Sequence, residues 1–127
     1  MLLIKATICG SMRFKEKMMN VYNSLTSHGI LVWLPFMGNV TPDMINTLHF
    51  VHEEKIKNSD YAIIVDVGDN ITTEGYVGKD TKREIDFAKD HNIKVIYLSD
   101  VNKKKMDITQ FLRKDMLNTP EIDINVD

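Results

Sequence analysis

Two short stretches carry residues suited to handling a small polar ligand. The first, Cys9-Gly10-Ser11-Met12-Arg13, ends an apolar run and opens an amphipathic one. Gly10 lets a ligand approach the main chain, and the free N–H groups of a helix start favour an anion. Ser11 adds a hydroxyl, and Arg13 a forked pair of N–H donors for a phosphate. The same residues also make an ordinary strand-to-helix turn capped by Ser11. The second stretch, Gly75-Tyr76-Val77-Gly78-Lys79-Asp80-Thr81-Lys82-Arg83-Glu84, brackets an aromatic ring with glycines ahead of a helix. Glu84 is expected in that helix's first turn, sharing a face with Thr81, Ile85 and Ala88. A carboxylate turned toward a sheet needs a hydrogen bond or a function. Two readings stand open: a reactive carboxylate, or a capping box in which Glu84 bonds back to the Thr81 N–H.

Other reactive residue types read as structural. His49 and His52 lie three apart on a helix beside Glu53 and Glu54, but no third ligand is evident and the spacing is not HExxH. No metal site and no cofactor is expected. His52 is read as a polar group at the sheet edge. Cys9 at a strand end is read as a small core residue. Asp66 and Asp69 beside Gly68 lack the spacing of a calcium loop and are read as a solvated turn. Lys103-Lys104-Lys105 is read as a solvated surface run.

The elements that must position these groups follow from periodicity. Apolar runs at residues 2–9, 30–34, 61–65 and 93–98 read as strands. The third, Tyr61-Ala62-Ile63-Ile64-Val65, is continuous, as in a strand buried on both faces. Helices are expected over residues 13–28, 41–58, 81–91 and 108–117, with Thr41-Pro42-Asp43 as a start signal. Residues 66–79 form a long polar loop. The tail beyond Asn118 alternates Ile122, Ile124 and Val126, suggesting an edge strand or a subunit contact. Alternating strands and helices predict an α/β fold with a parallel sheet covered on both faces. Ligands of such sheets sit beyond the strands' carboxyl ends, where the loops after residues 9, 34 and 65 lie.

The composition bounds the alternatives. With 127 residues, 43 % apolar and 27 % charged, the chain is expected to form one domain over residues 1–127 with its own core. A single cysteine excludes a disulfide framework. A formal net charge of −2 gives no basic field, so duplex nucleic acid is not an expected partner. No segment approaches the ~18 apolar residues of a membrane span. Met1-Leu2-Leu3-Ile4-Lys5 turns polar too soon for a signal peptide, so a cytoplasmic location is expected.

Taken together, three segments resemble the nucleoside 2-deoxyribosyltransferase superfamily, which includes the 2'-deoxynucleoside 5'-monophosphate N-glycosidases. Ile8-Cys9-Gly10-Ser11-Met12-Arg13-Phe14 is similar to its first strand and Gly-Ser-hydrophobic-Arg turn. His52-Glu53-Glu54-Lys55-Ile56, then Ser59-Asp60 and an apolar run, is similar to its central helix and third strand. Gly75-Tyr76-Val77-Gly78, then Glu84-Ile85-Asp86-Phe87-Ala88, is similar to its glycine loop and glutamate helix. The likeness spans about residues 4–98.

The resemblance implies a flavodoxin-like or Rossmann-like three-layer sandwich around a central, mainly parallel sheet of four to five strands. It also implies cleavage of the N-glycosidic bond of a 2'-deoxynucleoside or its 5'-monophosphate, by hydrolysis or by transfer to another base. Glu84 falls on the family's nucleophile, which holds the sugar covalently. Gly10, Ser11, Met12, Arg13, Gly75, Tyr76 and Gly78 fall on its substrate-binding segments. His52 stands where the family has an aspartate, and a histidine of near-neutral pKa suits protonation of a departing base. Lys79 to Arg83 lengthen the step from Gly78 to Glu84 beyond the family pattern. A homodimer or larger homo-oligomer is the implied assembly. The alternative function is a non-catalytic nucleotide-binding or sensing module on the same fold.

Overall fold

Alternation along the strands decides the layering. The computed structural model describes residues 3–69 and 75–118. Four strands form one parallel sheet: β1 (Lys5–Gly10), β2 (Leu31–Trp33), β3 (Tyr61–Val65) and β4 (Lys94–Tyr97), in the order β2-β1-β3-β4. Ala6 and Ile8 of β1, with Tyr61, Ile63 and Val65 of β3, face one side. There they meet α1 (Lys15–Ser27), α4 (Leu98–Lys103) and α5 (Ile108–Leu117) through Met18, Val21, Leu25, Val101 and Leu112. Cys9, Ala62 and Ile64 face the opposite side and pack on Ile56 of α2 (Ile45–Lys57) and on Ile85 and Ala88 of α3 (Lys79–Asp90). The arrangement is the three-layer α/β sandwich of flavodoxin-like and Rossmann-like folds.

β2 and β4 are shorter at both ends than the expected runs, β1 starts later and runs on to Gly10, and β3 coincides with its run and is buried throughout. The helices differ in informative places. The stretch expected to be helical from Arg13 begins as a 3-10 turn over Met12–Phe14. The helix expected from Thr41 also opens with a 3-10 turn, Pro42–Met44, and the Thr41 hydroxyl donates to Asp43 Oδ1 (2.5 Å) rather than capping the main chain. The short helix α4, which no sequence signal marked, follows β4 directly. The Ile122, Ile124 and Val126 tail lies outside the described residues, as do residues 70–74 of the long loop.

From β1 the chain steps outward to β2, then returns past β1 to β3 and β4. The order therefore reverses between β1 and β3, whose carboxyl ends are Gly10 and Val65, paired in register. Crevices at such reversals are the usual ligand sites of open parallel sheets. A Cβ on Gly10 would lie 2.9 Å from the Val65 carbonyl oxygen and 3.2 Å from Met18 Sδ, so the strands and α1 close here only on a glycine.

Candidate active site at the β1–β3 crevice

The loops leaving β1 and β3 converge. Ser11 is extended and its Oγ accepts from the Arg13 N–H (3.3 Å), as expected of a cap on the short turn. The Arg13 guanidinium lies over the Tyr76 ring, 3.7 Å from its centroid, and Phe14 meets the same ring edge-on at 6.2 Å. Cation–π stacking of this kind holds a guanidinium flat while leaving its N–H edge for a ligand. Met12 is exposed beside it.

The glycine loop is anchored at the exit of β3. The Tyr76 N–H donates to the Asp66 carbonyl (2.7 Å), and a Cβ on Gly75 would collide with Asp66 Oδ2 at 2.5 Å. Asp66 is buried and accepts from the Ser99 N–H (2.9 Å) and Ser99 Oγ (2.6 Å) at the start of α4. The expectation of a solvated turn at Asp66 is therefore corrected. Its carboxylate is a brace that ties β3 and the glycine loop to α4. Asp69, by contrast, is exposed and pairs with Lys17 at 3.1 Å.

Gly78 caps α3, so the helix starts at Lys79, two residues before the expected start. Thr81 then lies inside the first turn and Glu84 in the second. The capping box between them does not form, because Thr81 is no longer at the cap. Thr81, Ile85 and Ala88 are buried on the sheet side, with Glu84 beside them, as the spacing required.

Glu84 lies beneath β1, beside Cys9 and His52. His52 Nε2 lies 3.7 Å from Glu84 Oε2 and 3.5 Å from Cys9 Sγ. The side chains of His52 and Glu84 are 7 % and 16 % exposed, so the cluster is almost dry but Glu84 can be reached. Burial pushes the Glu84 carboxyl up to about 8, assisted by the nearby charges of Asp80 and Glu53, with the Cys9 thiol and Arg83 opposing. Burial lowers His52 to about 4, with Lys55 and His49 adding to the effect. Cys9 is wholly buried and its thiol is pushed well above its ordinary range, first by burial and then by Glu84. At neutral pH His52 is thus an uncharged imidazole next to a neutral carboxyl. An imidazolium ready to protonate a departing base is not its resting state.

The surroundings fix these positions. Lys55 Nζ donates to the Leu34 carbonyl (2.7 Å), tying α2 to the segment after β2. Arg83 faces Glu53 at 3.5 Å and His49 faces Asp80 at 3.8 Å, pairing α2 with α3 along the rim. Lys103, Lys104 and Lys105 are exposed, as expected of a solvated run. A separate groove of about 200 Å³, lined by Lys17, Asn20, Ser24, Asn102 and Asp107 among others, sits by α1 and α4 on the other face of the sheet.

The residues singled out in the sequence therefore fall into two groups. Gly10, Ser11, Met12, Arg13, Gly75, Tyr76 and Gly78 belong to the converging loops, and His52 and Glu84 form the buried cluster beneath β1. The contribution of Cys9 to that cluster was not anticipated. Its strand position was the signal: alternation puts Cys9 opposite Ile8, on the face of the glutamate helix. No model of a known protein family matches the chain, and no curated protein sequence matches it.

Proposed function

We propose that this chain cleaves the N-glycosidic bond of a 2'-deoxynucleoside or its 5'-monophosphate, with Glu84 as the nucleophile. The observation that carries the reading is the buried Glu84–His52 pair, 3.7 Å apart, with Glu84 on the helix that follows the loop whose Tyr76 stacks on Arg13. A carboxylate in a nearly dry site stabilises an oxocarbenium-like carbon and then bonds to it. Arg13, Ser11 and the main chain at Gly10 supply donors for a 5'-phosphate, and Met12, Gly75, Tyr76 and Gly78 line the approach.

One proton shared by the pair serves the reaction. It starts on the Glu84 carboxyl, and His52 Nε2 is a neutral base facing it. As the sugar binds, the proton passes to His52, leaving a carboxylate to attack the anomeric carbon. The carbon–nitrogen bond breaks, its electron pair stays on the base, and the His52 proton neutralises it. Water, or a second base, then bonds to the anomeric carbon as the sugar–Glu84 bond breaks, and the proton the attacking group loses returns to the Glu84–His52 pair.

The exposed Ile45, Phe50 and Val51 of α2, with Phe36 and Val40 on the segment leading to it, support a contact between two copies of the chain, since large apolar side chains left in water favour burial at an interface. No helix among the described residues is long and apolar enough to cross a membrane, and we place the reaction in the cytoplasm.

A second reading, a nucleotide-binding module without turnover, draws on the same raised carboxyl: a neutral Glu84 can hydrogen-bond a ligand without attacking it. Chromatography for free base separates them, using a panel of deoxynucleosides and their 5'-monophosphates, with wild type beside Glu84→Gln. Base release by wild type alone supports the glycosidase. Binding without release by either protein supports the module.

A further inference from the structure

Cys9, His52 and Glu84 come from three different elements, β1, α2 and α3, yet their donor atoms all lie within 4.8 Å of one another. Such a meeting is expensive. A thiol, an imidazole and a carboxyl are withdrawn from water on the face that otherwise carries Ala62, Ile64, Ile85 and Ala88. His52 Nε2 stands between the thiol and the carboxyl, while among the described residues its Nδ1 is buried without a partner. With its proton on Nδ1, the imidazole presents the Nε2 lone pair toward the sulfur and the carboxyl oxygen.

The separations suit one kind of ion. Tetrahedral zinc binds sulfur at about 2.3 Å and nitrogen or carboxylate oxygen at about 2.0–2.2 Å, which sets S···N near ~3.5 Å and N···O near ~3.4 Å. The observed values are 3.5 Å and 3.7 Å. We infer that Cys9 Sγ, His52 Nε2 and Glu84 Oε2 form a site for a thiophilic divalent transition ion of the zinc type, with the fourth position open. One soft sulfur, one imidazole and one carboxylate select against magnesium and calcium, which take oxygen ligands.

On loading, the thiol and carboxyl protons leave to solvent and the neutral imidazole binds as it stands. The ion enters past Glu84, the most exposed of the three, at a rim carrying the Asp80 and Glu53 carboxylates. His49, although three residues from His52, is not a ligand; it faces Asp80. Among the described residues no fourth donor joins the group. Because the ion holds Glu84, a loaded site and a sugar on that carboxylate exclude each other.

Cobalt chloride is the probe, added to protein stripped with a chelator. Cys9 is the only cysteine of the chain, so a thiolate-to-cobalt charge-transfer band can arise from no other residue. The expected result is that band together with tetrahedral visible absorption, saturating at equimolar cobalt and erased by equimolar zinc. Cys9→Ser and Glu84→Gln, each checked for fold by circular dichroism, should lose the spectrum or weaken binding by more than about tenfold. Cobalt in octahedral form with no charge-transfer band overturns the site, as does unchanged affinity in folded Cys9→Ser. If neither variant folds, the wild-type spectrum alone decides. The readout is the same whether or not the chain cleaves nucleosides.

Discussion

His52 Nε2 faces Glu84 Oε2 across 3.7 Å, between α2 and α3, and burial moves the two groups in opposite directions. The carboxyl rises to about 8 while the imidazole falls to about 4. The pair therefore holds a single proton across the neutral range, and this has consequences for stability as well as for chemistry.

Stability should fall between pH 6.5 and 8. In the unfolded chain Glu84 ionises near its ordinary 4.5, whereas folded it keeps its proton to about 8, so the folded state holds the extra proton and loses ground as pH rises. Below 6.5 the opposite linkage of His52, protonated near 6.5 when unfolded and near 4 when folded, offsets this. Above 6.5 only the Glu84 effect remains, amounting to about 2 kcal/mol across the window. Urea denaturation at both ends of that window should show the loss in wild type and its absence in Glu84→Gln. An equal loss in both proteins would place the linkage elsewhere.

The same shared proton shapes the rate. If the proton starts on Glu84 and leaves through His52, the active form is the singly protonated pair. The kcat/KM for base release should then be flat between about 4 and about 8 and fall on either side. A nucleophile that simply needed to ionise would instead give a rate still rising toward pH 8. A pH–rate profile on a deoxynucleoside with a non-titrating base distinguishes the two.

Much of the fold was legible because the apolar runs are continuous and the start and stop residues lie between them. β3 and α5 match their expected ranges residue for residue, Tyr61–Val65 and Ile108–Leu117. The start of α3 was not legible, because Thr81-Lys82-Arg83-Glu84 has the residue types of a capping box, while Gly78 supplies the cap through the path of the loop. Asp66 misled for a related reason. Beside Gly68 and Asp69 it reads as polar surface, and only the return of the chain at Ser99 makes it a buried acceptor. The metal-like meeting of Cys9, His52 and Glu84 was equally hidden, since its members lie on three separate elements, Cys9 and His52 being 43 residues apart, and depend on sheet order.

Asp66→Ala should destabilise the chain by about 2–3 kcal/mol, because it leaves the Ser99 N–H and hydroxyl without their acceptor. Gly75→Ala probes the same brace from the other side, where the new methyl would meet Asp66 Oδ2 at 2.5 Å. Both should lower the denaturation midpoint. A midpoint unchanged in Asp66→Ala would mean that Ser99 finds another partner.

Arg13 offers the sharpest separation between a phosphorylated and a free substrate. Its guanidinium is stacked on Tyr76 at 3.7 Å, and the turn holding it is closed by the Phe14 N–H to Ser11 carbonyl bond (2.9 Å). The main-chain position is thus set by Ser11 and the side-chain plane by Tyr76. Arg13→Ala removes a charged donor pair worth about 1.5–3 kcal/mol to a phosphate, so KM for a deoxynucleoside 5'-monophosphate should rise roughly tenfold to a hundredfold. KM for the unphosphorylated deoxynucleoside should hardly move. Tyr76→Leu leaves the charge but frees the guanidinium, and should give the same preference in weaker form. Equal losses on both substrates in Arg13→Ala would assign the arginine to the sugar or base instead, and would move the phosphate away from the first turn.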